Sequence, residues 1–451
     1  MGFENKKFLL VGAGKSGIAA AGLLKEKNLT YSLYDGNEKL DSKGLKNDNP
    51  GILDCDIYAG ELPDEVIKNT DIAVLSPGVP TDLPVIDRLR ENNCEIWGEI
   101  ELAYRFSAGK ILAITGTNGK TTTTTLVGEI MKAYFKDVRV VGNIGIPYTK
   151  EAVTMNDDTV TVAEISSFQL ETAIEFHPNV TAILNITPDH LNRHHTMENY
   201  IACKESIVKN QCSGEAVILN YEDEVLREFG KSLDIKVIYF SSKRRLENGY
   251  YLSNDKIVKA ACGKDDILLS VDELNLLGNH NYENVMAAIA MSENFGVPMD
   301  VILETVKNFK AVEHRIEFVI EKNGVAYYND SKGTNPDAAI QGIRAMKRPT
   351  LLIGGGYDKQ SEYDEWIEAF DGKVKKLVLI GQTKEKIKEC ANKHGFFDVV
   401  MCETFEEAIY FCRDNAKSGD AVLLSPACAS WGMFDNYEER GRIFKDIVRN
   451  M

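Results

Sequence analysis

Residues Ile111-Leu-Ala-Ile-Thr-Gly-Thr-Asn-Gly-Lys-Thr-Thr122 read as a short apolar strand that runs into a glycine-rich turn and then into a helix. Strand, glycine loop and helix in that order belong to an α/β fold, and the loop is a phosphate cradle. Gly116 and Gly119 let backbone N–H groups approach an anion closely, Lys120 supplies a point charge for the outer phosphates, and the Thr121 hydroxyl can join a magnesium shell. Nucleoside triphosphate chemistry follows. The spacing is not that of the general P-loop, because the position five residues before Gly119 is Ile114 rather than glycine. A tight turn that merely starts a helix is the bland alternative.

The chain has 451 residues, more than one hydrophobic core usually supports, so two or three domains are expected. The first segment opens with strand Phe8 to Val11, the turn Gly12-Ala-Gly14-Lys15-Ser16-Gly17, an apolar helix to about Leu24 and a strand ending at Asp35, a Rossmann-type βαβ opening. Strand Ile72 to Leu75 ends in Ser76-Pro-Gly78-Val-Pro80, which places a loop at its carboxyl edge. The alternation restarts near Gly98 with a helix from Glu99 to Phe106 before the phosphate-loop strand. Further strands are expected at 161–164, 180–186 and 216–219, with a polar antiparallel stretch at 235–270 and an alanine-rich helix capped at Asn279 that closes the region. A third alternation from Val312 ends each strand in a polar or glycine-rich loop. The expected organisation is therefore α/β throughout, with a Rossmann-like domain at 1–98, a P-loop ATPase-like central domain at 99–311 and a Rossmann-like domain at 312–451.

A net charge of -16 and a pI near 5.1 argue against a nucleic-acid duplex as partner, which calls for a basic stripe. Anionic substrates must be met locally, by backbone amides, helix N-termini, magnesium and a few lysines. No apolar run reaches the length of a membrane span, and Phe8 to Val11 is too short for a signal sequence, so no membrane partner and a cytoplasmic location are expected. Nine scattered cysteines without a CxxC pair suggest neither a disulfide framework nor a zinc site.

Several other segments carry candidate chemistry. Gly12-x-Gly14-x-x-Gly17 with Asp35 matches a dinucleotide fingerprint; a nicotinamide-dependent oxidoreductase, a bound nucleotide-diphosphate substrate and a plain tight turn all fit it. Glu164 ends a strand and would aim its carboxylate at the magnesium held by Thr121, with Ser166 and Gln169 lining the same cleft. Thr187 to His195 holds three of the seven histidines. A zinc site is the tempting reading there, but phosphoryl transfer calls for magnesium, so His190 is a candidate for a metal shell and His194 and His195 are read as solvated loop residues. Lys204, on an expected helix, reads as a routine surface lysine. Asp330-Ser-Lys332-Gly-Thr334, Lys359 and Ser425-Pro-Ala-Cys-Ala-Ser430 each follow a strand and can form an anion-binding edge.

Taken together, TGTNGKTT, the Val141-Gly-Asn143-Ile-Gly145 segment, SSFQLE, TPDHLNRH, GNHNYEN, EHRIE, NDSKGTN and SPACAS resemble the motif series of the Mur ligase family along essentially the whole chain. Within the family, the GAGKSG opening, SSFQLE and SPACASWGMFDNYEERG are most similar to members that add D-glutamate to UDP-N-acetylmuramoyl-L-alanine in peptidoglycan synthesis, the process behind cell-wall biogenesis, cell shape and cell division. The alternative is the member that adds L-alanine to UDP-N-acetylmuramate. The resemblance implies an ATP-dependent ligase working through an acyl phosphate with two magnesium ions; a monomer is expected. It implies that Gly116, Thr117, Asn118, Gly119, Lys120, Thr121 and Thr122 hold ATP, with Asn284 at the adenine and Arg315 and Asp330 at the nucleotide. Thr121, Glu164 and His190 would surround magnesium, and Lys204 falls on a lysine that the family carbamylates to a metal-ligating carboxylate, making Lys120, Glu164, His190 and Lys204 the catalytic set. Gly14, Lys15, Ser16, Asp35, Ser76 and Gly78 resemble the UDP pocket, and Asn143 and His190, beside Ser166 and Gln169, resemble contacts to the muramoyl-alanine end. Lys332, Thr334, Lys359, Ser430 and Tyr437 resemble the D-glutamate site.

Overall fold

The computed structural model describes residues 2–52, 54–310 and 313–451. The junction expected at 311 and 312 lies outside the described residues.

Three sheets follow one another along the chain. The first contains β1 (Lys7–Val11), β2 (Thr30–Asp35), β3 (Asp56–Ala59), β4 (Ile72–Leu75) and β5 (Glu95–Gly98) in the spatial order β3-β2-β1-β4-β5. Its pairings are parallel, so the loops after β1 and β4 leave the same edge, at the point where the strand order reverses. The short strand β5 was not anticipated from the sequence.

The second sheet contains β6 (Lys110–Thr115), β7 (Val138–Gly142), β8 (Val160–Glu164), β9 (Val180–Ile183), β10 (Ala216–Asn220), β11 (Lys236–Ser241), β12 (Gly249–Ser253), β13 (Lys256–Ala261) and β14 (Lys264–Ser270). Strand β6 lies between β8 and β9, parallel to both, and its residues from Ile111 to Thr115 are buried, as a central strand covered on both faces must be. The expected antiparallel stretch is confined to β12, β13 and β14; β11 pairs parallel with β10 and extends the parallel sheet instead. The alanine-rich helix runs from Asn279 itself to Phe295, so Asn279 is its first residue rather than its cap, and a further helix, Met299–Asn308, follows it.

The third sheet contains β15 (Glu317–Lys322), β16 (Val325–Asn329), β17 (Thr350–Gly356), β18 (Val374–Gly381), β19 (Val399–Met401) and β20 (Ala421–Leu424) in the order β15-β16-β20-β17-β18-β19, antiparallel only at β15. Strand β17 continues through the three glycines that the sequence reading placed in a loop, because Trp366 packs on Gly354 where a side chain would clash.

By contacts the chain forms two compact units, one of residues 1–270 and 283–306, the other of 271–282 and 307–451. Within the first, one apolar core runs from Phe8, Leu10 and Leu33 of the first sheet through Trp97 and Ile100 to Ala113, Ala163 and Ile183 of the second. Two buried acids pin that junction: Glu99 accepts from Thr149 N and Oγ1, and Glu101 accepts from Ile174 N and Phe176 N and pairs with Arg105. The second unit has cores on both faces of its sheet, one around Leu352, Trp366 and Leu377 and the other around Ile353, Val378 and Phe444.

Candidate functional site

The cradle at the carboxyl edge of β6 is built by backbone that only glycine adopts comfortably. Gly116 has φ +144° and Gly119 φ +86°, and a methyl on Gly119 would lie 2.2 Å from Asn284 Oδ1. Asn118 N donates to Asn185 Oδ1 at 2.8 Å and Thr117 N to the Asn185 carbonyl at 2.9 Å, which fastens the loop to the strand end beside it. Lys120 opens the helix Lys120–Tyr134, whose N-terminus carries positive dipole charge. Its ammonium bends back over the loop and donates to the carbonyls of Gly116 and Thr117, both at 2.9 Å. Thr121 and Thr122 are buried in the first turn of the same helix, and Thr123 Oγ1 donates to buried Asn284. The loop, Lys120, Thr121, Thr122 and Asn284 are therefore assembled in one place.

Lys204 corrects the reading of a routine surface lysine. It is 2% exposed; its ammonium donates to Gly116 O at 2.8 Å and lies 4.7 Å from the centre of the Tyr200 ring. Burial, and then the neighbouring Lys120 charge, pull its pKa from 10.5 down to about 7. Tyr200 itself went unremarked in the sequence, although its spacing of four from Lys204 on one helix sets both on one face. Its hydroxyl is hydrogen-bonded to Thr117 Oγ1 at 2.9 Å, so the helix Met197–Glu205 supports the cradle from behind.

Glu164 ends β8 with its side chain buried. Asn143 Nδ2 donates to Glu164 Oε1 at 2.8 Å, while Oε2 is buried with no hydrogen-bond partner. A buried carboxylate oxygen without a donor is costly unless a cation completes it, so this donor fits a hard divalent ion such as magnesium. His190 is exposed at φ +51°, packed edge-on against Phe168 at 4.8 Å and 3.4 Å from Asp189. His194 corrects the reading of a solvated residue: it is buried, bonded to Ser167 Oγ at 2.9 Å and 3.4 Å from Glu171, and burial lowers its pKa. His195 is exposed, as read. Ser166 and Gln169 are mainly bonded to each other as a capping box that starts helix Ser167–Leu170. Arg193 also escaped the sequence reading; it forks onto Glu171 and donates to Val79 O at 2.8 Å, joining the loop that bears His190 to the loop after β4.

In the first sheet, the three glycines of the turn have separate jobs. Gly12, at φ +99°, makes the turn, a methyl on Gly17 would sit 1.9 Å from Gly12 O, and a methyl on Gly14 would meet nothing within 4 Å. Asp35 accepts from Ala13 N at 2.8 Å and Asn37 N at 2.9 Å, so its carboxylate shapes the loop. Ser76 Oγ donates to Gly12 O at 3.2 Å, and Gly14, Lys15 and Gly78 are exposed on that edge with Ser16 beside them.

In the second unit, Asp330 follows β16 and is buried, accepting from Ser425 Oγ at 2.6 Å and from Ile316 N at 3.3 Å. Burial pushes its carboxyl up to about 7, against the Ser425 hydrogen bond and the Arg315 charge. Arg315 Nε is buried without a partner, and burial with Arg315 brings His280 down to about 4. Lys332 lies 5.4 Å from the Tyr437 ring and Lys359 4.8 Å from the Trp431 ring; Ser430 is buried, and Thr334 N donates to Lys332 O. Arg440, buried and donating to Ser331 Oγ and to the Ser331 and Cys428 carbonyls, ties the NDSKGTN and SPACAS loops together.

These features define a three-sheet α/β protein with a glycine-turned loop, crossed by two lysine ammonium groups, at the carboxyl edge of β6. Family models match in series: the Mur ligase MurD-like N-terminal domain over residues 6–98, the Mur ligase middle domain over 114–292 and the Mur ligase glutamate ligase domain over 314–428. The chain is 55% identical over 448 residues to the UDP-N-acetylmuramoylalanine–D-glutamate ligase of Lachnoclostridium phytofermentans, covering 99% of each. It is 54% identical over 451 residues to the ligase of the same name from Lachnospira eligens, covering 100% of both. The chain belongs to the Mur ligase family. Among solved structures, UDP-N-acetylmuramate-alanine ligase MurC from Thermotoga maritima shares the fold with a TM-score of 0.61 at 19% identity, over 98% of this chain and 99% of that one. MurF ligase from Thermotoga maritima in complex with ADP gives 0.59 at 16%, over 100% and 99%.

Proposed function

We propose that this chain is an ATP-dependent, ADP-forming ligase that joins D-glutamate to UDP-N-acetylmuramoyl-L-alanine in peptidoglycan precursor synthesis. The observation that carries the reading is the cradle, where two lysine ammonium groups converge on the Gly116 carbonyl beside a set of loop amides. The full-length relatives named for this reaction support the choice of substrates.

In the first step an oxygen of the substrate carboxylate attacks the γ-phosphorus of ATP, the bond to the β-phosphate oxygen breaks, and ADP leaves. In the second the D-glutamate nitrogen attacks the acyl phosphate carbonyl, phosphate leaves with the bonding pair, and the amine proton passes to a base or water. The Gly116 to Thr122 amides and Lys120 hold the phosphates in line, which gives positioning and charge stabilisation without reorganisation at the moment of reaction. Magnesium held by Thr121, Glu164, His190 and a carbamylated Lys204 would neutralise charge on the transferring phosphoryl group. Carbamylation at Lys204 is supported by its depressed pKa: a neutral amine attacks CO2, loses a proton and becomes a carboxylate.

For the remaining residues the proposed roles are those of the resemblance. Asn284, Arg315 and Asp330 serve the nucleotide; Gly14, Lys15, Ser16, Asp35, Ser76 and Gly78 the UDP group; Asn143, Ser166, Gln169 and His190 the muramoyl-alanine end; Lys332, Thr334, Lys359, Ser430 and Tyr437 the D-glutamate. Among the described residues no helix is long and apolar enough to cross a membrane, and the proposed setting is a cytoplasmic monomer that acts on small molecules.

The test is phosphate release with ATP, magnesium, each UDP-muramoyl precursor and each amino acid. Release is expected only with UDP-N-acetylmuramoyl-L-alanine and D-glutamate, which should be preferred over L-alanine by about a thousandfold or more, since a site that pairs a side-chain carboxylate leaves polar groups unmatched by alanine. Release with UDP-N-acetylmuramate and L-alanine would overturn the substrate assignment, and no release with any pair would overturn the ligase reading.

A further inference from the structure

We propose that His177, Cys212 and Glu215 form a binding site for one zinc-class divalent ion at the amino-terminal edge of the central sheet, away from the cradle. His177 lies three residues before β9, and Cys212 and Glu215 lie in the loop that enters β10; the cradle leaves the opposite, carboxyl edge of β6. The three ligating atoms lie within 4.8 Å of one another, and His177 Nε2 is 2.7 Å from Glu215 Oε2. A tetrahedral zinc ion with bonds of about 2.0–2.3 Å needs its ligands about 3.3–3.8 Å apart, which small side-chain rotations here supply.

The site is pre-arranged by the backbone. Glu215 N donates to Cys212 O at 3.1 Å, and Gly214 between them has φ +99°, the left-handed third position of a type II turn. That turn brings the first and fourth residues together, and Cys212 N donates to Glu215 Oε2 at 2.7 Å, folding the carboxylate toward the thiol's own residue. The other oxygen, Oε1, accepts from Asn179 Nδ2 at 3.0 Å, and Asn179 Oδ1 in turn accepts from Ile111 N of β6 at 2.9 Å. An outer partner that fixes a ligating carboxylate is characteristic of working metal sites. Among the described residues His177 is the only ion-pair partner of Glu215, so no lysine or arginine competes for the place of the ion.

The mixed sulfur, nitrogen and oxygen donor set selects zinc over magnesium or calcium, which prefer oxygen alone. Three protein ligands leave a fourth position to water. On binding, the exposed Cys212 thiol loses its proton to solvent and becomes the sulfur ligand, while His177 binds through Nε2 with its proton on Nδ1. The ion ties the loop before β9 to the loop before β10, and the Asn179 link passes that constraint to β6. The cluster Asp364, Cys390 and His394 is a weaker rival because the Lys393 ammonium already stands 3.1 Å from Asp364.

The experiment is titration of the full-length, tag-free protein with Zn2+ by calorimetry, and with Co2+ by absorbance, for wild type, Cys212→Ser, His177→Gln and Cys390→Ser. Wild type and Cys390→Ser are expected to bind one ion per chain, release protons, and show the thiolate-to-cobalt charge-transfer band. Cys212→Ser should lose that band, and His177→Gln should bind Zn2+ at least about tenfold more weakly. Thermal melting should rise with added Zn2+ in wild type and not in Cys212→Ser. Equal binding by wild type and Cys212→Ser, loss of binding in Cys390→Ser alone, or no stoichiometric binding by wild type would each overturn the site.

Discussion

The loops after β1 and β6 are built on one plan and charged on two. Each leaves a parallel strand, turns on a glycine with positive φ, at +99° in Gly12 and +144° in Gly116, and feeds a helix. The first is closed by an acid, Asp35, on Ala13 N, and its only lysine, Lys15, is exposed. The second is crossed by two ammonium groups, those of Lys120 and Lys204, on a single carbonyl. Like charges this close repel, and anions or loss of a proton relieve the excess; burial first, and then the Lys120 charge, lowers the Lys204 pKa. Backbone dipoles alone suffice to hold a diphosphate. Stabilising phosphate as its bonds change takes concentrated positive charge, so under the proposed function the first loop would serve binding and the second turnover.

The sharpest way to break this contrast is to remove the charge. Lys120→Ala is expected to lower kcat by about a thousandfold or more, with the melting temperature little changed, because the side chain contacts the loop carbonyls and not the apolar core. Single-turnover phosphate release and thermal melting, read side by side, check it. A near wild-type kcat would make the two loops equivalent and end the ATP assignment.

The next effect concerns Lys204. Lys204→Ala should lose about a hundredfold or more in kcat, and wild type stripped of CO2 should lose activity that bicarbonate restores. The pH sign is set by the shift: with its folded pKa near 7 the amine is neutral above that value, so restoration should speed up as pH rises through about 7. Unmodified Lys204 also costs stability most below about pH 7, and that cost fades as pH rises toward the ordinary 10.5, because in that window the unfolded chain holds the proton more tightly. Carbon-13 NMR with labelled bicarbonate reads the adduct directly. A bare ammonium in an active, magnesium-loaded sample would refute it.

Lys204 also marks where the sequence stopped being informative. The cradle was legible because its chemistry is local: turn, cation and hydroxyl occupy consecutive positions. So were the edges of β4 and β20, which are bounded by turn residues and buried throughout. The burial of Lys204 and of His194 depends on what packs over their helices, and periodicity within one helix does not carry that information. The parallel orientation of β11 was misread for a related reason: its apolar run Val237 to Phe240 suits a strand in either orientation, and only its partner β10 fixes the direction. Arg440 was missed because Ser331, which accepts two of its hydrogen bonds, lies 109 residues away along the chain.

A smaller effect tests whether the first loop is a fold element at all. Gly17→Ala would place its methyl 1.9 Å from Gly12 O, with the helix already packed on β1, so the turn must shift. A loss of about 1–3 kcal/mol in stability is expected from overpacking, measured by denaturant unfolding, along with weaker UDP-substrate binding. Unchanged stability would mean that the glycine spacing does not set the approach of helix to strand.

The smallest effect is the most discriminating, because it separates binding from folding within one loop. Gly14 has φ -77° and nothing within 4 Å of where a side chain would begin, so alanine fits the free protein, with a cost within about 1 kcal/mol at this helix N-cap. If the UDP pyrophosphate lies against this backbone, the same methyl holds it off. Gly14→Ala is then expected to raise KM for UDP-N-acetylmuramoyl-L-alanine about tenfold, equivalent to about 1.4 kcal/mol, with KM for ATP and kcat at saturation unchanged. The alanine variant should also lose most of the melting shift that the UDP-substrate gives wild type, while NAD shifts neither protein. An unchanged KM for the UDP-substrate would move that ligand elsewhere and leave the first loop a turn with no ligand, and a rise in the KM for ATP instead would erase the division between the two loops.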